Sequence, residues 1–283
     1  MIENIEALIV LAREDTITKT ATRLRITQSA VSKRLAALEA AIGEPVIEKK
    51  GRGVALTETG LRLVSQAQPL LSELRSVLAT QQSGSHMDVT VGVSESLLCS
   101  WGAEVLHRAE KATPGLRLSP HTHRSPVVLD RVRSGEYMLG LCSGLEKLPS
   151  GIVGETVFRE PMVLIGNKSQ LDREANATLL SIEPQSVTWR SLGAAASTLG
   201  LRPTQTLETF FAVAQVANVG FGVGLVPLGV ARAMRISPKK IHPVTPQLTR
   251  PVTIIGQKTA YNKPAIRKFV DEVKNEIGRL NLQ

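Results

Sequence analysis

The stretch from residue 16 to 57, TITKTATRLRITQSAVSKRLAALEAAIGEPVIEKKGRGVALT, constrains this chain more than any other. It holds two short helical patterns joined by a tight connection, then a basic hairpin. Thr27 is a good N-cap, because its side-chain oxygen can accept from an unpaired amide of the first turn. Val31, Leu35, Leu38 and Ile42 recur at i, i+4, i+7 and i+11, an apolar stripe that must pack inward. The opposite face carries Gln28, Ser29, Ser32 and Lys33, with Arg34 at its edge. Short amide and hydroxyl groups at a helix start, followed by cations, suit an element that enters a DNA major groove. Gln can bond adenine in bidentate fashion, Ser can bond several base edges, and Lys or Arg can reach guanine or phosphate.

Charge supports this reading by its placement and not by its sum. The chain has a formal net charge of +9, yet residues 1–60 hold nine Lys/Arg against eight Asp/Glu. Overall basicity is therefore weak evidence for DNA binding. The local set of Lys33, Arg34, Lys49, Lys50 and Arg52 is better evidence. Lys49, Lys50 and Arg52 would ordinarily be a solvated turn. Just after a helix-turn-helix they read as a wing that contacts phosphate.

Thr16-Ile17, Ala21, Leu24, the run Thr27 to Lys33, Leu38-Glu39, Gly43, Pro45 and Thr57-Glu58-Thr59-Gly60 together resemble the winged helix-turn-helix of LysR-type transcriptional regulators. The match covers about sixty residues with ordered spacing. Ser29 stands where the family commonly has proline, and Val46-Ile47 where it has Leu-Phe. The first change alters base contacts more than fold, since Pro and Ser both suit an early helical position. The second keeps an apolar pair.

At 283 residues the chain can hold two or three domains with real cores. Its composition, 42% hydrophobic and 21% charged, fits a globular protein and excludes a disordered one. The start, MIENIEALIVLAREDT, lacks a basic n-region, a long apolar run and a cleavage site, so no secretory signal is expected. No stretch is apolar enough to cross a bilayer, so no membrane partner is expected and a cytoplasmic location follows. Cys99 and Cys142 are too few for a disulfide framework and read as ordinary thiols in a reducing compartment.

Along the chain, a first helix is expected over Asn4 to Arg13 and a second near Thr18 to Leu24. The turn Gly51-Arg52-Gly53 would form the wing tip. Thr57 would cap a long helix to about Thr80, kinked at Pro69, with Leu63, Leu70, Leu71, Leu74 and Leu78 as an apolar seam. A lone helix cannot bury such a seam unaided; the resemblance makes it the linker helix that builds a homodimer or homotetramer. Gln81 to Ser85 is a polar hinge. The string Gly84-Ser85-His86-Met87 coincides with a common expression-tag remnant, but the distance from Gly60 to the next strand suits the family, so it is read as natural sequence.

After Val89 the pattern turns to α/β: strands Val89–Val93, Leu116–Thr122 and Tyr137–Cys142, with helices Leu97–Lys111 and Pro126–Ser134 between them. Alternation of this kind argues for a parallel sheet. A second lobe would begin at Pro161–Ile165, with a helix near Thr209–Asn218 and a strand near Gly224–Pro227. Arg250–Gly256 and the helix Pro264–Leu280 would return to the first lobe. The fold class is thus α/β overall. It comprises a winged helix-turn-helix over 1–57, a linker helix and hinge over 58–87, and an effector-binding domain over 88–283. The last resembles the two-lobed effector domain of the family and periplasmic solute-binding proteins. Lobe I would take about 88–160 and 250–283, and lobe II about 161–249. The resemblance is thin around Leu171–Leu201.

Open α/β sheets bind ligands at the carboxyl ends of strands. Ser94-Glu95-Ser96 and Arg124-Ser125 stand there, each offering hydroxyls and free helix-start amides for a carboxylate or other anion. Ser96 and Ser125 align with effector-contacting positions of the family, and Arg124 would add a charge-assisted bond. Serines in such places are most often plain helix caps. Glu95 would repel an anion unless it pairs with Arg124. Thr206 and Gly220–Gly224 would supply the facing wall. His121 and His123 share one strand face, but no third ligand stands near, so they read as hydrogen-bonded or exposed and no metal is expected. Absence of a phosphate loop, a metal-hydrolase helix or a nucleophile motif leaves no catalytic site, no enzyme and no cofactor to expect.

The leading reading is a regulator that binds dyad-symmetric double-stranded DNA, contacts RNA polymerase and responds to a small, anionic effector between its lobes. Two others compete: a solute-binding or enzymatic module fused to DNA-binding helices, and an effector-independent DNA organiser whose cleft is vestigial.

Overall fold

The structure, a computed structural model, describes residues 1–51, 53–82, 86–167 and 178–280; at 69, 72–73 and 75–82 it describes the backbone alone. It divides into two compact units, Met1–Gln82 and Ser83–Gln283.

In the first unit, α1 (Ile2–Glu14), α2 (Ile17–Leu24) and α3 (Gln28–Ile42) are closed by left-handed residues Asp15, Arg25 and Gly43. Thr16 and Thr27 cap α2 and α3 by accepting from Lys19 N and Ala30 N. Ala7, Leu8, Leu11, Ala21, Val31, Leu35, Leu38 and Val46 form the core. Ile42, expected in the inward stripe, is 38% exposed, because the last turn of α3 extends past that core.

Strands β1 (Ile47–Lys50) and β2 (Gly53–Leu56) pair antiparallel with Lys50 opposite Gly53, so the turn needs the positive φ of Gly51. Arg52 lies outside the described residues. Helix α4 (Glu58–Gln82) begins where Thr57 Oγ1 accepts from Gly60 N and donates to Pro45 O. A Cβ at Gly60 would stand 2.1 Å from Val46 O, so only glycine lets α4 pass that close. The helix is continuous through Pro69, the residue at which the kink was expected; one missing ladder bond does not end a helix this long. The expected seam divides. Leu63 packs on the core and Leu71 is buried, whereas Leu70 and Leu74 face solvent with Leu61. Leu78 lies outside the described side chains, as do residues 83–85 of the hinge.

In the second unit, β3 (Met87–Ser94) leads into a helix that opens at Glu95–Leu97, widens to a π-helical stretch at Leu98–Gly102 and continues as α5 (Ala103–Ala112). The single helix expected over Leu97–Lys111 is present, running from Glu95 to Ala112 with a π-bulge inside it; a Cβ at Gly102 would press to 2.7 Å on Leu97 O. Next come β4 (Leu116–His123), α6 (Ser125–Arg133) and β5 (Leu139–Ser143). Strand β6 (Ile152–Ile165) starts nine residues before the expected Pro161. After it come β7 (Leu179–Ile182), α7 (Val187–Thr198), β8 (Gln205–Leu207), α8 (Phe210–Asn218) and β9 (Val223–Pro227). Helix α9 (Leu228–Ala233), β10 (Ile241–Pro243), β11 (Thr249–Gln257) and α10 (Pro264–Gly278) complete the unit.

The sheet order is β4-β3-β5-β11-β6-β9-β7-β8, with β10 also on β6. It is mixed, not parallel throughout. Strands β4, β3 and β5 run parallel, as do β9, β7 and β8, but β11 is antiparallel to β5 and β6, and β6 to β9. The chain crosses between lobes on two strands that run in opposite directions, which forces the antiparallel centre. Residues 152–161 of β6 pair with β11, and Met162–Ile165 pair with β9. Each side has its own core: one around Val89, Val91, Leu141, Ile254 and Phe269, the other around Ile165, Leu180, Val213, Leu225 and Val230. Among the described residues, no helix is long and apolar enough to cross a membrane.

Candidate functional site

On α3 the side chains of Gln28, Ser29, Ser32 and Lys33 are exposed on the face opposite Val31, Leu35 and Leu38. Thr27 Oγ1 also bonds Ser29 Oγ at 2.9 Å, so the Thr27 oxygen serves the cap. Arg34 stands half-buried and pairs with Glu3 at 2.6 Å, which ties α3 to α1. Lys49 and Lys50 are exposed on β1. Glu39 adds a link that the motif alone did not explain: its Oε1 accepts from Val46 N (2.9 Å) and Ile47 N (3.3 Å). This carboxylate fixes the entry of the hairpin to the helix that precedes it.

In the second unit a cavity of about 390 Å³ opens between the lobes, within the usual range of small-molecule sites, roughly 300–1,000 Å³. Ser94, Ser96, Arg124 and Ser125 line it, together with Glu95, Ser143, Glu183, Thr188, Glu208, Thr209 and Phe210. Thr206 does not. It is exposed on β8 opposite Ser181, and the wall is formed instead by Glu208 to Phe210 as the chain enters α8. Gly220–Gly224 are not in the lining either; they form the turn into β9 and its first two residues.

The hydroxyls of the floor are not equivalent. Ser125 Oγ donates to Ser143 O (3.0 Å), so its one proton is spent. Ser94 Oγ, 2.6 Å from Ser125 Oγ, must therefore donate to it. Ser143 N donates to both oxygens, at 3.1 and 3.3 Å. These two serines knit the ends of β3, β5 and α6 together. Ser186 and Thr209 accept from Trp189 N and Ala212 N and cap α7 and α8, whose first turns face the cavity.

Behind the floor lies a feature that sequence reasoning missed. Arg250 on β11 and Glu160 on β6 are register partners, fully buried, joined through Nε (2.9 Å) and Nη2 (2.7 Å) to the same carboxylate oxygen. Trp101 Nε1 donates to the other oxygen of Glu160 at 3.0 Å. Arg250 Nη1 donates to Ser96 Oγ at 3.0 Å and reaches Ser143 Oγ at 3.4 Å, and Phe210 lies over the guanidinium at 5.1 Å. In the sequence both residues look like surface charges. Ser143 was findable, since it ends a strand as Ser94 does.

Arg124 pairs with Glu183 at 3.2 Å across the cleft and not with Glu95. Burial pushes the Glu95 carboxyl above its ordinary range. His121 and His123 stack on Tyr137, and His123 Nε2 bonds Tyr137 Oη at 2.9 Å. Cys142 is buried, which drives its thiol strongly up, whereas Cys99 is exposed.

Comparison with known proteins identifies the family. Residues 2–61 match the model of the bacterial regulatory helix-turn-helix protein, lysR family, and residues 82–278 match that of the LysR substrate binding domain. An HTH-type transcriptional regulator of Vibrio cholerae serotype O1 is 26% identical over 290 residues, covering 99% of this chain and 97% of that one. Among solved structures, ArgP from Mycobacterium tuberculosis superposes with a TM-score of 0.72 at 17% identity, covering 98% of this chain and 97% of that one. Full-length CbnR complexed with its target DNA has a TM-score of 0.64 at 18% identity, covering 98% and 99%. With both parts of the family pattern matched in order, the chain belongs to the LysR family and is a LysR-type transcriptional regulator.

Proposed function

We propose that this regulator binds a dyad-symmetric promoter site as a homodimer or homotetramer and is switched by a small ligand held between its lobes. Base readout would fall to Gln28, Ser29, Ser32 and Lys33, and phosphate contact to Lys49, Lys50 and Arg52. Arg34 would act chiefly by holding α3 to α1 through Glu3. The exposed Leu70 and Leu74 of α4, one turn apart on the same face, supply an apolar contact for a second copy. The protein would work in the cytoplasm, where promoter DNA and RNA polymerase are, and would carry out no catalysis.

One observation carries the ligand reading: a hydroxyl-lined cavity takes its wall from both lobes, with Arg250 of β11 bonded to Ser96 of its floor. A ligand there touches both lobes, so its binding energy depends on their relative placement. Control requires only a differential affinity of about 1–3 kcal/mol between two arrangements. This favours the regulator over an organiser with a vestigial cleft. Mapping of genomic binding sites, followed by footprinting of the strongest site, tests the DNA half. A symmetric protected site is expected, and equal affinity for random DNA at about 0.15 M salt would refute it.

A further inference from the structure

The cavity combines a donor-rich floor with an acidic wall, and the two features select different ends of a ligand. Ser96, Ser143 and Thr188 are 8%, 4% and 5% exposed and line the cavity. Ser96 Oγ accepts from Arg250 Nη1, and among the described residues its own proton has no acceptor. Ser143 Oγ and Thr188 Oγ1 stand 3.3 Å apart and share one hydrogen bond, which leaves one of their two protons free. Two hydroxyl donors are thus open to an acceptor that enters the cavity and takes the place of water there. Arg250 presents Nη1 to these oxygens while Nε and Nη2 face Glu160, so the positive end of the buried pair points at the floor. A hydroxyl that accepts from a guanidinium is the stronger donor for it.

The wall has the opposite sign. Glu95 from lobe I and Glu208 from lobe II line the same cavity, and neither has an ion-pair or hydrogen-bond partner among the described residues. Glu183 is occupied by Arg124, and Arg250 by Glu160. A simple anion would find its floor but also meet two uncompensated carboxylates. A simple cation would leave the hydroxyl protons unused.

We propose that the effector is a zwitterion of the amino-acid class: its carboxylate accepts from Ser96 and the Ser143–Thr188 pair, and its ammonium lies between Glu95 and Glu208. This deepens the cleft reading above and rests on it. Arg250 is then a positioning residue, acting on the carboxylate through Ser96 and Ser143. Pro126, Val127, Ile182 and Val187 give the side chain an apolar wall.

The test uses the full chain and two matched panels: the proteinogenic L-amino acids, and the 2-hydroxy acids that replace each ammonium with a hydroxyl. Thermal-shift screening is followed by calorimetric titration. At least one amino acid binds, and its 2-hydroxy analogue binds at least about tenfold weaker, the equivalent of ~1.4 kcal/mol. Glu95→Gln with Glu208→Gln removes most of that discrimination, and Ser96→Ala weakens both members of the pair. Val127→Trp, at a residue on the rim of the cavity, fills it and abolishes binding. If 2-hydroxy acids bind as tightly as amino acids and Val127→Trp abolishes both, the zwitterion is wrong and the cleft stands. Binding that survives Val127→Trp overturns the cleft itself, and failure of every amino acid to bind overturns the zwitterion.

Discussion

At the scale of single residues, identity and role part company most clearly among the serines. Ser94, Ser96 and Ser125 all follow strand ends and look alike in sequence. Proton accounting separates them: Ser94 and Ser125 are committed to a buried internal network, and Ser96 keeps a donor for the cavity. Ser125→Ala is therefore expected to lower stability by about 1–3 kcal/mol, because it leaves Ser143 N and O short of their partners. Urea unfolding reads this directly, and an unchanged midpoint would contradict the assignment. On the DNA side, Gln28 is exposed and free of the cap, unlike Thr27. Gln28→Ala is expected to cost the cognate site about 1–3 kcal/mol and to leave random DNA nearly unaffected. Fluorescence anisotropy with cognate and shuffled duplexes checks it; equal losses on both would mean Gln28 reads no base.

At the scale of elements, one carboxylate adds a polar tie between the sheet and its covering helix, beside their shared apolar core. Glu155 on β6 accepts from Tyr261 Oη at 2.9 Å and pairs with Arg267 (3.1 Å) and Lys274 of α10. Burial pushes this carboxyl up, but hydrogen bonds from Lys274 and Tyr261 and the charges of Lys274 and Arg267 outweigh it. The group is held below its ordinary 4.5. A native carboxyl with a lowered pKa contributes stability above the unfolded value and loses it as pH falls through the native one. Glu155→Gln should thus melt earlier than the wild type at neutral pH, and the gap should close as pH drops below 4.5. Scanning calorimetry across that range decides, and a gap independent of pH would show that Glu155 acts by packing alone. Helix and strand positions in this unit were largely legible, because 3.6- and 2-residue periods mark buried faces. The region around Leu179–Leu207 was not, because β7 and β8 are short and their pattern is set by neighbours remote in sequence.

For the whole molecule, the decisive contact is the Arg250–Glu160 pair at the crossing of β6 and β11. It joins residues ninety apart in the chain and touches both lobes through Trp101, Ser96 and Phe210. Breaking one half strands a buried charge, so Arg250→Met is expected to cost about 3–5 kcal/mol. Arg250→Met with Glu160→Leu should recover most of that loss, since an apolar pair of similar size is often neutral. A double-mutant cycle by urea unfolding measures the coupling, and additive losses would mean the two charges do not depend on each other.

The amino-acid sequence by itself determined the helix-turn-helix, its wing and the alternation of strands and helices that follows. Those features arise from caps, turns and periodic burial, which act over a few residues. It also placed Ser94, Ser96, Arg124 and Ser125 at strand ends, where a ligand can be reached. Only the tertiary structure decided which hydroxyls remain free, that Thr206 lies outside the cavity lining, that Arg124 answers Glu183, and that Arg250 underlies the floor. Each of those depends on which distant strand lies alongside, and burial turns that adjacency into an energetic requirement to be paired.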